Sequence, residues 1–458
     1  MAELRPRQIK AIADVRAAYA TGHRRVLLVA STGFGKTHTA AEIIKSAIAR
    51  GNNVWFLAHL REILDDTARR LEAADIPHGF IMAGMPRNPF KPVQIVSVQT
   101  AVRRPVARKP GLIIVDECHL AVADTYKKVV EAAGNPPLLG LTGTPARLDS
   151  RGLGEMFDVM VPTCSTGDLI AEGLLAPIRY YAPTKPDLTG IRSRAGDFAL
   201  DQLAEAVDRP SIIGDAVAHY RKHAHGRRAV AFCVNIAHAE HTAAAFTAAG
   251  YRAVAISGNS TRQERQDALT GLRQGTIDIV CNCALWVAGV DCPEIGCVIL
   301  LRPTKSLTMY LQSVGRGLRT CAGKPDLIVL DHASCVFTHG LPQDPREWTL
   351  DAKPKRAGAN APSVRECPSC FACHAPAPAC PCCGHVYVRE TVPQGPEQVD
   401  GELVEVDEAA LRRQRNREQA QAQTLEQLIE IGRRRGMKSP YGWAKHVLAA
   451  RQRRKSAA

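Results

Sequence analysis

Short apolar runs alternate with amphipathic stretches through most of the chain. Val26–Val29, Val54–Ala58, Ile95–Val98, Leu112–Val115 and Leu138–Leu141 have the length and composition of strands buried on both faces. Between them, His38–Ala49 and Glu62–Glu72 carry helical patterning. That alternation predicts a parallel sheet covered by helices. A Pro- and Gly-containing stretch from Tyr181 to Gly196 breaks the pattern and reads as a loop or linker extension. The alternation resumes with strands at Ala229–Cys233, Ala253–Ile256, Ile277–Cys281 and Val298–Leu301, and helices at His238–Ala249 and Arg262–Gln274. A second α/β domain of similar size follows, with a cleft between the two.

After Asp351 the character changes. A Pro/Ala/Gly/Lys stretch leads into a cysteine-rich segment, a Pro/Gly/Glu-rich stretch, and an Arg/Gln-rich tail with Leu411, Leu425, Leu428 and Ile431 as sparse apolar anchors. The length of 458 residues and 45% apolar content suit two folded domains with appendages. The N-terminus lacks the apolar core of a signal peptide, and no apolar run is long enough to span a membrane. The expectation is a soluble protein of the cytoplasm of a bacterial or phage-infected cell, with no membrane partner. Charge narrows the partners further. The net charge is +14, and from Ala409 onward 13 basic and 3 acidic residues give +10. A basic segment this focused suits a nucleic-acid backbone, or serves as a solubilising tail.

The candidate chemistry begins at Ala30-Ser31-Thr32-Gly33-Phe34-Gly35-Lys36-Thr37, between the first strand and the first helix. Strand, glycine loop, Lys-Thr and helix make a phosphate-binding loop. Glycines let backbone N–H groups converge on phosphate oxygens, and the helix that follows points its positive end at the same anion. Lys36 adds charge near the β/γ-phosphates, and Thr37 offers its hydroxyl to Mg²⁺. Ser31, Thr32, Gly33, Phe34 and Gly35 complete the loop. Asp116-Glu117-Cys118-His119 ends a later strand. Acids there suit a metal-holding Asp116 and a Glu117 that orients and deprotonates the attacking water.

With these motifs in hand, the chain resembles a superfamily 2 helicase of the DEAD/DEAH class, closest to restriction-enzyme-motor and phage-type helicases. The resemblance covers roughly Leu4 to Leu330. Leu4-Arg5-Pro6-Arg7-Gln8 resembles the adenine-recognising element, which puts Gln8 against the base. The stretch Ala58-His59-Leu60-Arg61-Glu62 and the stretch ending in Gln99-Thr100 are similar to strand-contacting motifs. This implies nucleic-acid contacts at His59, Arg61, Gln99 and Thr100. Thr142-Gly143-Thr144 resembles the motif that couples hydrolysis to movement, with His119 as its partner. Leu285 to Asp291, with Gly289 and Asp291, resembles the fifth motif. Gln312-Ser313-Val314-Gly315-Arg316-Gly317-Leu318-Arg319 resembles the sixth. The resemblance implies two RecA-like domains with ATP between them, and catalytic roles for Lys36, Glu117, Gln312 and an arginine finger. Arg319 is the first candidate for that finger and Arg316 the second. Ala30 replaces the usual first glycine of the loop, a variation superfamily 2 motors commonly carry.

Six of the fifteen cysteines crowd between Cys367 and Cys383. Two C-x-x-C hooks, Cys367/Cys370 and Cys380/Cys383, suit tetrahedral Zn²⁺, with Cys373, His374, Cys382 and His385 as competitors. The other nine lie in apolar segments as small packing residues. In the tail, Tyr441 and Trp443 suit base stacking, or Trp443 suits the core of a small helix.

The expected organisation is an α/β chain with two tandem parallel-sheet domains at 1–165 and 166–350. A linker at 351–364, a four-cysteine zinc-ribbon-like module at 365–390, a linker at 391–408 and a basic helical tail at 409–458 follow. The expected function is an ATP-dependent helicase or translocase, with DNA favoured over RNA. Alternatives are an ATP-gated nucleic-acid clamp, an RNA helicase, or a duplex translocase serving a nuclease or a replication or repair partner.

Overall fold

The computed structural model describes residues 3–59, 61–103, 108–120, 123–146, 152–182, 186, 188–194, 196–283, 285–286, 290–351, 355–356, 364–387, 417–435, 437 and 439–455. The chain forms two compact units, Met1–Tyr387 and Val388–Ala458.

The larger unit contains two sheets. The first is built from β1 (Arg25–Val29), β2 (Val54–Ala58), β3 (His78–Ile81), β4 (Val93–Ser97), β5 (Leu112–Val115), β6 (Leu138–Thr142) and β7 (Val159–Pro162). Its spatial order is β3-β4-β2-β5-β6-β1-β7, with every neighbouring pair parallel. Side chains alternate faces along a strand, so a strand covered on both sides must be apolar throughout. On β1, Val26 and Leu28 enter one core cluster while Leu27 and Val29 enter another. The phosphate loop, the Asp-Glu pair and the Thr142 turn all leave the C-terminal ends of these strands. That is where open parallel sheets receive ligands.

The second sheet begins with β8 (Ile178–Tyr181). A small hairpin of β9 (Ser193–Arg194) and β10 (Asp197–Phe198) follows. Then come β11 (Ala229–Cys233), β12 (Ala253–Ile256), β13 (Ile279–Cys283), β14 (Cys297–Leu300) and β15 (Leu327–Asp331). β16 (Arg346–Glu347) and β17 (Lys355–Arg356) pair apart from it. β18 (Arg365–Glu366) and β19 (Ala372–His374) bring the cysteine segment back, giving the order β12-β13-β11-β14-β15-β8-β19-β18. β19 pairs antiparallel with β8, so the cysteine hairpin extends the second sheet rather than standing free. The expected loop from Tyr181 to Gly196 is thus partly strand: Tyr181 closes β8 and Ser193–Arg194 forms β9. β4 likewise starts two residues before its expected position, and Val98 opens a short helix.

Local chemistry sets several helix starts. Thr261 and Glu264 close a reciprocal capping box, as do Ser165 and Asp168, and Asn235 caps through the His238 N–H. Beyond β15 the chain returns to the first sheet. Trp348 and Leu350 pack on a cluster containing Leu153, Met156 and Phe157, and the Gly154 N–H donates to the Leu350 carbonyl at 3.0 Å.

In the smaller unit, helices Leu425–Arg434 and Pro440–Lys455 pack on Ala422, Leu428, Ile431, Ala444 and Val447. Trp443 joins that core from its edge, whereas Tyr441 is exposed. Arg412, Arg413 and Arg415 lie outside the described residues, as do most of the expected linker at 351–364 and all of that at 391–408. Among the described residues, no helix is long and apolar enough to cross a membrane.

Gly140 shows how tightly the first sheet is packed beneath the Thr142 turn. A Cβ there would come within 2.3 Å of the Phe157 ring, which is 2% exposed. Gly140→Ala is therefore expected to cost about 1–3 kcal/mol of stability, as overpacking does. A denaturant titration reads this directly; an unchanged midpoint would mean that Phe157 moves freely.

Candidate active site

The phosphate loop takes the shape its glycines allow. Gly33 and Gly35 have φ of +84° and +94°, the left-handed region that glycine enters at no steric cost. A Cβ on Gly33 would strike Leu175, and one on Gly35 would strike the Gln8 amide at 2.4 Å. Gly35 is also the residue before the helix Lys36–Ala49, so the loop amides and the helix N-terminus face one space. Ser31 Oγ donates to the Cys164 carbonyl at 2.8 Å, and Lys36 Nζ to the Ala30 carbonyl at 3.1 Å.

Around that space lies a cavity of about 230 Å³. The first domain lines it with Thr32, Gly33, Gly35, Lys36, Thr37, Asp116 and Glu117, and the second with Val290, Asp291, Arg316 and Arg319. The two domains meet closely here: a Cβ on Gly315 would lie 3.0 Å from the Thr32 side chain. Gly289 lies outside the described residues.

Asp116 sits at the cavity floor. Burial, and next the Glu117 charge, push its carboxyl up to about 7. Glu117 has φ of +45°, a backbone position uncommon for a residue with a side chain and a mark of strain held by its surroundings. Its amide donates to Asp116 Oδ1 at 2.9 Å. From Glu117 a polar chain crosses to the second domain. Gln312 Nε2 lies 3.5 Å from Glu117 Oε2 and 3.2 Å from His119 Nε2. His119 Nδ1 is 2.8 Å from Thr142 Oγ1, which donates to the Thr144 carbonyl at 3.0 Å. Thr142 has one hydroxyl proton and spends it there, so His119 must donate from Nδ1 and accept at Nε2. Burial lowers the His119 pKa, which keeps that neutral tautomer. Thr144 Oγ1 is buried without a hydrogen-bond partner among the described residues. Cys118, beside them, is a fully buried packing residue.

The two arginines differ. Arg316 Nη1 donates to the Val290 carbonyl at 2.9 Å, but its buried Nε has no partner among the described residues. Burial, and next the Arg319 charge, lower its pKa to about 10. Arg319 pairs with Asp291 Oδ1.

Gln8 sits beside the phosphate loop. It is 2% exposed, its Nε2 donates to the Phe34 carbonyl at 3.0 Å, and its Oε1 accepts from the Arg5 N–H at 2.9 Å. Both ends of the amide thus brace the loop and the first helix. It still borders a neighbouring cavity of about 340 Å³, lined by Arg5, Arg7, Phe34, Leu169, Glu172 and Leu174. Of the expected strand-contacting residues, His59 and Gln99 come together at the ends of adjacent strands β2 and β4. Gln99 Nε2 is 3.1 Å from the His59 carbonyl. Arg61 is exposed beside them, and Thr100 lies next to Gln99 in the chain.

Sequence reasoning missed Asp66 and Arg70 on the helix Arg61–Glu72. Both line the cavity, with Ile63 and Thr67. The signal was their spacing: residues 63, 66, 67 and 70 share one helix face.

At the cysteine segment, the sulfurs of Cys367, Cys370, Cys380 and Cys383 lie within 4.8 Å of one another. Cys367 and Cys383 are 3.6 Å apart, Cys370 and Cys380 3.7 Å. A tetrahedron with Zn–S bonds of about 2.3 Å has edges near ~3.8 Å, so the set fits zinc. Cys382 turns away, with its Sγ 3.3 Å from the Tyr181 hydroxyl, and His374 Nε2 is 2.8 Å from the Tyr387 hydroxyl. Gly384, at φ +75°, donates its N–H to the Cys380 carbonyl and makes the tight turn.

Comparison with known proteins places these features. Residues 1–147 match the family described as type III restriction enzyme, res subunit, and residues 209–321 match the helicase conserved C-terminal domain. A 51.5 kDa protein of a Lactococcus phage is 32% identical over 386 residues, covering 83% of this chain and 82% of its own. A Saccharomyces cerevisiae protein with the provisional name ATP-dependent helicase IRC3 is 27% identical over 52% of this chain, but only 37% of its own length is spanned. The DNA-bound structure of LlaBIII, an ATP-dependent type ISP restriction-modification enzyme, aligns with 72% of this chain and 27% of its own. The TM-score is 0.54 at 15% identity, a likeness of fold. The chain belongs to the family of the phage protein, and with both motor domains in sequence it is a superfamily 2 helicase, an ATP hydrolase that works with Mg²⁺ on nucleic acid.

Proposed function

We propose that the protein is a DNA-stimulated motor that closes its two domains on ATP and moves along a DNA strand. The observation that carries this reading is the shared cavity, with Lys36 and the acids on one domain and Arg316 and Arg319 on the other. Gly33, Gly35 and Lys36 hold the phosphates. Thr37 and Asp116 would hold Mg²⁺, since the half-compensated carboxylate of Asp116 fits a cation, and the ion would supply positive charge against the phosphates. Glu117 takes the proton of the attacking water, and Arg316 or Arg319 stabilises charge on the γ-phosphate. Because the arginines come from the other domain, turnover needs closure, and hydrolysis releases it.

Gln312, His119, Thr142 and Thr144 carry that state between the domains. His59, Arg61, Gln99 and Thr100 meet the strand at the C-terminal edge of the first sheet. DNA is favoured because the DNA-bound LlaBIII shares the fold. That likeness also supports a second reading, a duplex translocase that works for a separate nuclease. Cys367, Cys370, Cys380 and Cys383 hold one structural Zn²⁺, and the basic tail hairpin adds phosphate contacts.

An ATPase assay with single-stranded DNA, duplex DNA and RNA as competing activators tests the reading. Single-stranded DNA should stimulate most under strand tracking, and duplex DNA under the second reading. Lys36→Ala and Glu117→Gln should each lower turnover by about 100-fold or more. Undiminished turnover in Glu117→Gln would remove it as the base.

Asp116 gives a stability test. Its folded pKa of about 7 is above the unfolded carboxylate value of about 4, so the fold binds the extra proton between them. Stability without Mg²⁺ therefore falls as pH rises through that window. Asp116→Asn should melt higher than the parent chain at pH 8, keep only part of that advantage at pH 5 and lose it below the unfolded carboxylate pKa, while hydrolysis is lost. A difference independent of pH would refute the assignment.

For the cysteine cluster, metal analysis should give about one zinc per chain, lost in Cys370→Ser. Chelation should also lower the melting temperature of the larger unit, since β19 lies on its sheet. Zinc retained at full stoichiometry in the variant would show the ligands are wrongly chosen.

A further inference from the structure

We propose that Arg70 is a positioning residue for ATP hydrolysis, reaching across the cleft to hold Asp291 so that the second domain's arginines meet the phosphates in register. The inference rests on the ATP-site reading above and adds a first-domain residue to it.

The helix Arg61–Glu72 turns Ile63, Asp66, Thr67 and Arg70 toward the cavity. Asp66, one turn earlier, fixes the arginine: Arg70 Nε donates to Asp66 Oδ2 at 2.7 Å. This leaves Nη2 to reach the other domain, where it donates to Asp291 Oδ2 at 3.1 Å. The other oxygen of Asp291 accepts from Arg319. One carboxylate is thus gripped from both domains at once. The residue before it is equally committed, since the Val290 carbonyl accepts from Arg316. The Asp291 carbonyl accepts from Arg273 on the second domain's own helix. Val290 and Asp291 therefore form a plate on which both candidate finger arginines rest. Arg70 is the first-domain side chain that ties down its free corner.

The chemistry suits a guanidinium. Its planar fork serves two carboxylates on different elements, which a lysine ammonium does with less geometric control. Arg70 is 43% exposed and Asp291 39%, and ion pairs of that exposure contribute little to stability. The contact matters by where it holds Asp291. A second cross-domain pair on the same helix provides an internal control. Asp65 lies 3.4 Å from Arg262, which is 85% exposed, and neither residue lines the cavity. Losing that pair removes a closing contact without touching the plate.

The test is steady-state ATP hydrolysis with saturating single-stranded DNA and Mg²⁺, comparing the parent chain with Arg70→Ala, Arg70→Lys, Arg262→Ala and Lys36→Ala. Arg70→Ala should lower kcat about tenfold, the effect of losing one charged contact made in the transition state, with KM for ATP changed less than about threefold. Arg70→Lys should fall between the two. Arg262→Ala should retain the parental kcat, and the melting temperatures of both Arg70 variants should match the parent.

Because Arg70 acts through Asp291, Arg70→Ala should cost nothing further when Asp291→Asn is already present. An unchanged kcat in Arg70→Ala would overturn the proposal. So would a loss expressed only in KM, an equal loss in Arg262→Ala, or losses that multiply in the double variant. If Lys36→Ala retains turnover, it is the ATP-site reading that fails. If Lys36→Ala is inactive and Arg70→Ala is parental, the inference alone falls.

Discussion

Half-compensated charge at the edge of water is the constraint on which this molecule turns. Asp116 is half-buried with a second carboxylate beside it, and within its own domain Lys36 is the cation set against it. Arg316 is half-buried on the opposite domain, with a buried Nε that finds no partner among the described residues. Isolated buried charges are costly. Each domain alone therefore carries an electrostatic deficit of opposite sign, and both deficits open into the same cavity. A metal–triphosphate between them would satisfy the acids through its cation and the arginines through its oxygens. On the proposed reading, the affinity of the domains for each other would then depend on what lies between them, a physical requirement for a motor driven by a nucleotide.

The neutral hydrogen-bond chain from Gln312 through His119 to Thr142 and Thr144 complements that charge. It is directional, because the single Thr142 proton fixes which His119 nitrogen donates. Burial keeps His119 uncharged, so the chain does not add to the positive charge around the phosphates. Gln312 joins the chain from the second domain at 3.2 Å, a distance that small domain rotations would break. Charge thus sets how strongly the domains close, and the polar chain makes the closed geometry specific. The strained Glu117 backbone stands where the two meet, aimed by both.

Much of this was legible in the sequence because the signals were local. A phosphate loop needs glycines at fixed positions after a strand. An acid pair is readable when an apolar strand precedes it. Two C-x-x-C hooks declare a tetrahedral set, and the four sulfurs do converge. What was not legible depended on tertiary contacts. The spacing that marks Gln8 does not reveal that its amide also holds the Phe34 carbonyl and the Arg5 N–H. Asp66 and Arg70 read as ordinary solvated charges on an amphipathic helix, and only the approach of Asp291 gives that face a target. Strand ends slipped by one or two residues at β4, β13 and β14 because register is set by neighbours, not by apolar runs alone.

The cysteine hairpin follows from a related packing demand. In the second sheet β8 pairs with β15 on one side and would otherwise present unpaired amides and carbonyls on the other. β19 covers that edge, pairing Ala372 with Tyr181 and Cys373 with Tyr180. A strand of three residues makes few ladder bonds and is weak by itself. Its position depends on what holds its ends, and the four cysteines bracket it, Cys367 and Cys370 before it and Cys380 and Cys383 after. Cys367 and Cys380 are themselves buried in the same core cluster as Ile328 and Leu330 of β15. A metal there would fasten a sheet edge whose other strands carry Val290, Asp291, Arg316 and Arg319 on their connections. The cysteine cluster and the second-domain side of the cavity are thus built on one sheet.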